Sequence, residues 1–168
     1  MSSSPTWWLI DGYNLLFRWA GYPDGPQQLT TARHDLLRAI ERWADVVGDR
    51  VTVVFDSRRE VPEPAFMDYG VEIVFASADL GADAWIEHAV GACRNRDRCK
   101  VVSSDLRLRQ NVEAAGASSM GCGDFFQALR SAGVSHRPPP SPRPTLGDLF
   151  PDLGDRGPTN NDHADEKS

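Results

Sequence analysis

Trp7-Trp8-Leu9-Ile10-Asp11-Gly12-Tyr13-Asn14 is an apolar run that ends in an acid, a glycine and an asparagine. The run predicts a buried β-strand over residues 7–11 that brings the Asp11 carboxylate to the edge of a sheet. Three later apolar runs are also followed by acids: Val51–Phe55 by Asp56, Val71–Phe75 by Asp79 and Asp83, and Val101–Val102 by Asp105. Acids that repeatedly follow strands form either an acidic metal site or a set of helix caps. The function of the protein depends on which of these two roles the acids have.

Length and composition predict one domain of a soluble protein. The chain has 168 residues, of which 40% are hydrophobic, and this is enough for one buried core. No apolar run approaches the ~20 residues that span a bilayer, and no secretory signal is visible. We therefore expect a cytoplasmic protein without a membrane partner. The three cysteines are odd in number and lack zinc-site spacing, so we expect free thiols.

Strand and helix patterns alternate along most of the chain. Strands are predicted at 7–11, 51–56, 71–76, 100–104 and 117–120, and helices at 31–47, 82–94, 106–115 and 123–132. Thr30 or Thr31 is the expected N-cap of the first helix. The strands are mostly continuous apolar runs, which is typical of a parallel sheet buried on both faces. The pattern predicts an α/β fold, a three-layer α/β/α sandwich with a mainly parallel sheet.

The composition changes at His136. Residues 138–144 contain five prolines, and residues 154–168 are polar. We therefore expect a folded domain at 1–135 and a Pro-rich, disordered tail at 136–168.

The predicted strand ends place several carboxylates together. Asp11, Asp56 and Asp105 each stand at the carboxyl end of a strand, where open parallel sheets form their sites. Two carboxylates about 5 Å apart repel by roughly 3 kcal/mol at an effective dielectric constant of 20. Such a cluster raises its pKa values or recruits a cation, and Mg²⁺ prefers carboxylate oxygens.

Further polar residues near the strand ends have two interpretations each. Asp83 and Glu87 share a helix face, yet an acid in a first turn also suits the helix dipole. Asp105 likewise has two interpretations, as an acid of the site or as the cap of the helix that follows it. Asn14 either supports Asp11 or forms a turn. Ser103 and Ser104 either support the site through hydrogen bonds or satisfy backbone groups.

Basic residues cluster near the acids in sequence. Arg94, Arg96, Arg98 and Lys100 form one group, followed by Arg107 and Arg109, while Arg58 and Arg59 follow Asp56. Each alone is typical of a salt-bridged surface, but together they are candidates for phosphate contacts around an acidic centre. The net charge of −6 argues against a nonspecific polyanion binder.

Four motifs occur in a characteristic order. They are Ile10-Asp11-Gly12-Tyr13-Asn14-Leu15, Val53-Val54-Phe55-Asp56, Ala82-Asp83-Ala84-Trp85-Ile86-Glu87 and Val101-Val102-Ser103-Ser104-Asp105. Over about residues 7–132 the chain resembles the YacP-like NYN domain family of PIN-like ribonucleases. The resemblance implies a PIN-like sheet in the order 3-2-1-4-5 and metal-dependent cleavage of RNA. It also implies a main metal site at the acids Asp11, Asp83 and Asp105.

Two positions depart from the family pattern. Ser57-Arg58-Arg59 stands where many relatives have a small or neutral residue and then His or Gly, and Arg109 stands where many have Gln. Both differences add positive charge near the expected site.

The first functional hypothesis is an Mg²⁺- or Mn²⁺-dependent endoribonuclease acting on RNA, with the ribosome as a candidate partner. Its catalytic metal ligands are Asp11, Asp83 and Asp105, its supporting residues Asn14, Asp56, Ser104 and Glu87, and its substrate-binding residues Arg58, Arg107 and Arg109. The alternative is a non-catalytic RNA- or ribosome-associated module of the same fold. A haloacid-dehalogenase-type phosphatase is disfavoured, because Tyr13 stands where its second acid is expected. Nucleotide-binding glycine loops are absent.

Overall fold

A five-stranded sheet with helices on both faces forms the part of the chain that the computed structural model describes, residues 4–21, 25–57 and 70–134. The strands are β1 (Trp7–Asp11), β2 (Arg50–Asp56), β3 (Glu72–Ala76), β4 (Cys99–Val102) and β5 (Ser118–Met120). The helices are α1 (Gly12–Ala20), α2 (Pro26–Val47), α3 (Gly81–Ala92), α4 (Leu106–Ala114) and α5 (Cys122–Ser131). A single 3₁₀ turn, Arg96–Arg98, precedes β4.

The sheet is parallel and has the strand order β3-β2-β1-β4-β5, which confirms the predicted fold class. The chain moves outward from β1 through β2 to β3 and then returns to place β4 on the other side of β1. Strand order therefore reverses beside β1, and this is where open α/β sheets form their sites. Ile10 of β1 is level with Val53 of β2 and Val102 of β4, so the three strands end at one edge.

Both faces of the sheet are buried, which explains the continuous apolar runs. Ile10 and Phe55 pack into one cluster with residues of α1, α2 and α5. Their sequence neighbours Leu9 and Val54 pack into a second cluster with residues of α3 and α4. Because successive strand residues point to opposite faces, a strand between two helical layers needs apolar residues at every position.

Helix α1 was not predicted, and it begins directly at the end of β1. Gly12 and Asn14 both favour turns locally, and the sequence leaves Asn14 either as a support for Asp11 or as a turn residue. Instead the Asp11 side chain accepts a hydrogen bond from the Asn14 backbone N–H and caps the helix. The predicted cap of α2 was also wrong, since this helix begins at Pro26 with Gly25 as its N-cap. The connection at 58–69 and the predicted tail at 136–168 lie outside the described residues.

Gly12 allows α1 to approach β2 closely. A Cβ atom at this position would lie 2.5 Å from Cε1 of Phe55, whose side chain is fully buried. We expect Gly12→Ala to lower the free energy of unfolding by about 1–3 kcal/mol, because the core must shift to admit the methyl group. Urea denaturation measures this change. Gly91→Ala is the control, since no atom lies within 4 Å of its Cβ, and equal losses in both variants would contradict the close approach.

Candidate active site

A cleft of about 410 Å³ lies at the carboxyl edge of the sheet. Three of the predicted acids line it, namely Asp11, Asp56 and Asp83. Asn14 lines it as well, together with the α3 start at Gly81. The fold therefore brings side chains from the ends of β1 and β2 and from the first turns of α1 and α3 to one place.

Asp11 is the most buried acid of the cleft, with 7% of its surface exposed. One of its oxygens accepts the Asn14 backbone N–H at 3.3 Å, and the other accepts the Ser103 hydroxyl at 3.3 Å. Burial, and then the negative charge of Asp83, raise the pKa of Asp11 from 3.8 to about 7. An ionised Asp11 is therefore costly in the metal-free protein, and the site favours either a proton or a cation at this carboxylate.

Asp83 and Asp105 extend the acidic cluster from Asp11 towards α4. Burial raises the pKa of Asp83 above its usual value, and the charge of Asp105 raises it further. Asp105 is the N-cap of α4, where its Oδ1 atom accepts the backbone N–H groups of Arg107 and Leu108. Each of the three acids thus interacts electrostatically with at least one other, although Asp105 does not line the cleft itself.

Ser103 joins the two capping acids. Its hydroxyl is fully buried, donates to Asp11 and accepts the Asp105 backbone N–H at 3.0 Å. Because one oxygen contacts both residues, the end of β1 and the start of α4 are held at a fixed spacing.

Asn14 and Ser104 form a second link between the same elements. The Asn14 Oδ1 atom accepts the Ser104 backbone N–H at 2.8 Å and its hydroxyl at 2.5 Å. These bonds tie α1 to the segment that follows β4. The Cys122 thiol lies 3.2 Å from the Ser104 hydroxyl. Burial raises the pKa of this thiol, so its position at the start of α5 does not favour a thiolate.

Glu87 lies one helical turn beyond Asp83 but does not line the cleft. Its Oε1 atom accepts a hydrogen bond from Nδ2 of Asn111 at 2.8 Å, which ties α3 to α4. Its charge also contributes to the raised pKa of Asp83. Glu87 therefore contacts α4 and raises the pKa of Asp83, but it is not part of the cleft wall.

The predicted phosphate-binding arginines have different positions. Arg107 is exposed in the first turn of α4, next to Asp105. Arg109 is half-buried and donates from Nε to the Ser119 hydroxyl at 3.1 Å, so it supports the contact of α4 with β5. Arg58 lies outside the described residues.

The basic group at 94–100 is not near the acids. Arg96, Arg98 and Lys100 lie at the amino end of β4, whereas the acids follow its carboxyl end. Arg96 donates to the backbone carbonyls of Gly91 and Ala115. These residues therefore do not surround the acidic centre, contrary to the expectation from their sequence proximity.

Two aromatic residues of α1 line the cleft and were not predicted as site residues. The Tyr13 and Phe17 rings are stacked, with centroids 5.9 Å apart. The Tyr13 hydroxyl lies 3.5 Å from the guanidinium of Arg33, which is fully buried. Residues four apart lie on one face of a helix, so the sequence predicts this ring contact only if the segment after Asp11 is taken to be helical.

The donor chemistry of the acids fits a hard divalent cation, because all three supply carboxylate oxygens. Among residues 4–21, 25–57 and 70–134, however, no group of three or more His, Cys, Asp or Glu side chains has the arrangement of a metal site.

A parallel 3-2-1-4-5 sheet with carboxylates at its reversal point defines an α/β protein of the PIN-like class. The chain belongs to the YacP-like NYN domain family, which its sequence matches over residues 8–138. This is a nuclease-type family within the PIN-like group.

Two solved structures of Rae1 (YacP) from Bacillus subtilis are similar to the chain. The structure of a mutant has 24% sequence identity and a TM-score of 0.64, and covers 76% of this chain and 77% of its own. The second has 23% identity and a TM-score of 0.60, and covers 75% and 74% respectively. At this identity the likeness establishes the fold. No curated protein matches the chain in sequence.

The buried Asp11 carboxylate predicts an unusual pH dependence of stability. The pKa of Asp11 is about 7 in the folded chain and 3.8 in the reference state, so the folded state keeps a proton that the unfolded state releases. The free energy of unfolding of the metal-free protein should therefore fall as pH rises from 4 to 7, by up to about 4 kcal/mol. Asp11→Asn should flatten this dependence and be the more stable protein at pH 8.

Urea denaturation in EDTA at several pH values measures this effect. Asp97→Asn is the control, because Asp97 is an exposed carboxylate at the opposite end of the sheet. A parallel pH profile for wild type and Asp11→Asn would show that Asp11 is not strained by burial.

Proposed function

We propose that the chain is an Mg²⁺- or Mn²⁺-dependent endoribonuclease that hydrolyses phosphodiester bonds of RNA at the acidic cleft. The observation that carries this proposal is the convergence of Asp11, Asp56 and Asp83 on one cleft at the carboxyl edge of the sheet. Membership of a nuclease-type family supports the same reaction class.

Asp11, Asp83 and Asp105 are the proposed metal ligands. A divalent cation held by these carboxylates would supply positive charge beside the scissile phosphate and lower the pKa of water there. Ser103 holds Asp11 at a fixed spacing from Asp105, and the Asn14–Ser104 hydrogen bonds hold α1 against the end of β4. Mutually repelling carboxylates lower the cost of bringing a cation to the site, because the cation relieves the repulsion.

The rest of the cleft positions substrate. Asp56 contributes a hydrogen-bond acceptor to the cleft from the end of β2. Arg107 is the proposed phosphate contact, because it is exposed beside Asp105. Arg58 remains a predicted phosphate contact. Arg109 donates to Ser119, and this bond favours a structural role for it instead.

The setting of the reaction is also a proposal. We propose a nuclease domain at 1–135 and a cytoplasmic location, with RNA as partner and the ribosome as a second candidate partner. In the described part of the chain, no helix has both the length and the apolar character that a membrane span needs.

Cleavage of single-stranded RNA by the purified chain tests the function. We expect activity with Mg²⁺ or Mn²⁺ and none in EDTA. Asp11→Asn and Asp105→Asn should each lower kcat by at least about a hundredfold, the order seen when a group that stabilises transition-state charge is lost. Asp97→Asn should match wild type, since this exposed acid lies outside the cleft. Equal cleavage by wild type and both site variants would refute the proposal.

A non-catalytic RNA-binding module is the second candidate. It is favoured by the absence, in the described residues, of a closed group of three potential ligands. Salt-sensitive RNA binding that persists in EDTA, with no cleavage under any metal condition, would establish it instead.

Arg107 and Arg109 should behave differently when replaced by glutamine. Arg107→Gln should raise KM for RNA and reduce the salt dependence of binding by about one unit of slope, because one phosphate contact is lost. Arg109→Gln should mainly lower stability, because it breaks the bond to Ser119. Measuring KM at several salt concentrations, and denaturation of both variants, separates the two roles. An unchanged KM in Arg107→Gln would remove it from the substrate site.

A further inference from the structure

A second cleft, of about 330 Å³, lies at the opposite end of α3 from the acids. It is bounded by the amino ends of the first three strands, which contribute Trp7, Arg50 and Glu72, and by Trp85 and His88 of α3. All of these residues are within the described part of the chain. The cleft plays no part in the proposed reaction.

Trp7 forms one wall of this cleft and is held in place by its neighbours. Its indole Nε1 donates to the Thr52 hydroxyl at 2.9 Å, and that hydroxyl donates to Glu72 at 2.9 Å. The Arg50 guanidinium lies 4.1 Å from the Trp7 ring centroid and pairs with Glu72 at 3.0 Å. The indole is therefore fixed before any ligand binds. Arg50 covers one face of the ring, so a ligand would contact the remaining exposed part of the indole at a low entropic cost.

Trp85 and Ala89 provide a second wall, one helical turn apart on α3. The Trp85 indole is only half-buried, whereas Trp43 in the opposite layer is 2% exposed. The small Ala89 side chain leaves space beside this indole. Two indoles with a rim of charged and polar groups fit a planar ring that carries hydrogen-bonding edges.

The position of α3 relates the two clefts. Gly81 and Ala82 at its first turn line the acidic cleft, while His88 and Ala89 line the second one. The helix has 12 residues and is therefore about 18 Å long. A stacked nucleic-acid strand advances about 3.4 Å per nucleotide, so about five nucleotides span the whole length of the helix, and a stretched strand needs fewer.

We propose that the second cleft binds an unpaired nucleobase of the same RNA strand whose phosphodiester lies at the acidic cleft. The inference rests on the proposed function for its substrate. Bases stack on aromatic side chains without strong sequence preference, and arginines beside such platforms contact the phosphates. Arg94 is exposed and follows Cys93, which lines the cleft, so it is the proposed phosphate contact, whereas Arg50 is engaged with Glu72 and Trp7. The proposed ligand is therefore an aromatic base attached to a negatively charged phosphate backbone.

Length dependence is the decisive test, because only a strand that reaches the second cleft gains from it. Single-stranded RNAs of 3 to 12 nucleotides are compared as substrates of wild type, Trp85→Leu and Ala89→Phe. The last variant fills the cleft while keeping both indoles. We expect both variants to lower kcat/KM about tenfold on the long RNAs and to match wild type on the shortest. Phe126→Leu, a half-buried aromatic of α5, should match wild type at every length.

Binding is measured separately from cleavage with the Asp11→Asn chain. A long RNA should quench its tryptophan fluorescence, and adding Trp85→Leu or Ala89→Phe should weaken this binding about tenfold. Thermal unfolding establishes that each variant is folded. Wild-type affinity and kcat/KM on long RNA in folded Ala89→Phe would overturn the inference, as would an equal loss at all lengths. Length-dependent binding without cleavage by wild type would support this cleft while refuting the proposed function.

Discussion

Burial of one carboxylate, that of Asp11, is the constraint on which the site depends. The acid ends the central strand and, in the same step, caps α1. The helix can start there because Gly12 lets it approach Phe55, and the carboxylate tolerates its position because Asn14 and Ser103 donate to it. These hydrogen bonds lower the pKa of Asp11, but burial and the charge of Asp83 outweigh them. The structure thus holds in place an acid that is unfavourable without a proton or a cation.

Helix capping and metal binding are compatible roles for these acids. Asp105 uses Oδ1 to accept two backbone N–H groups of α4, and Asp11 uses Oδ1 for Asn14. A carboxylate has about four lone-pair sites, so a cap retains acceptor capacity for a cation. The amino ends of α1, α3 and α4 also carry partial positive charge, which offsets part of the repulsion among the acids. Capping therefore fixes the orientation of these carboxylates and still leaves them acceptor capacity for a cation.

The sequence predicted the layers of the fold better than the surroundings of the site. Continuous apolar strands such as β2 predict a doubly covered parallel sheet, and this was confirmed. Of the acids predicted at the strand ends, Asp11 and Asp56 line the cleft whereas Asp105 does not. Helix α1 was missed because Gly12 and Asn14 favour turns locally, whereas the Asp11 cap and the core contacts of Leu15 favour a helix. The expectation that the basic group at 94–100 lies around the acids was wrong, because closeness in sequence does not show which end of a strand a residue occupies. The stacking of Tyr13 on Phe17 depended on α1 and was missed with it.

Local contacts have to supply most of the affinity for RNA. The chain carries a net charge of −6, so long-range attraction to a polyanion is weak. The acidic cleft itself repels phosphate unless a cation is present, and most of the arginines near β4 are engaged with backbone carbonyls. Affinity must then come from a few directed interactions, such as an exposed arginine beside the acids and aromatic rings that accept bases. Under the two proposals the protein would bind RNA weakly in general and select strands whose bases are free to stack.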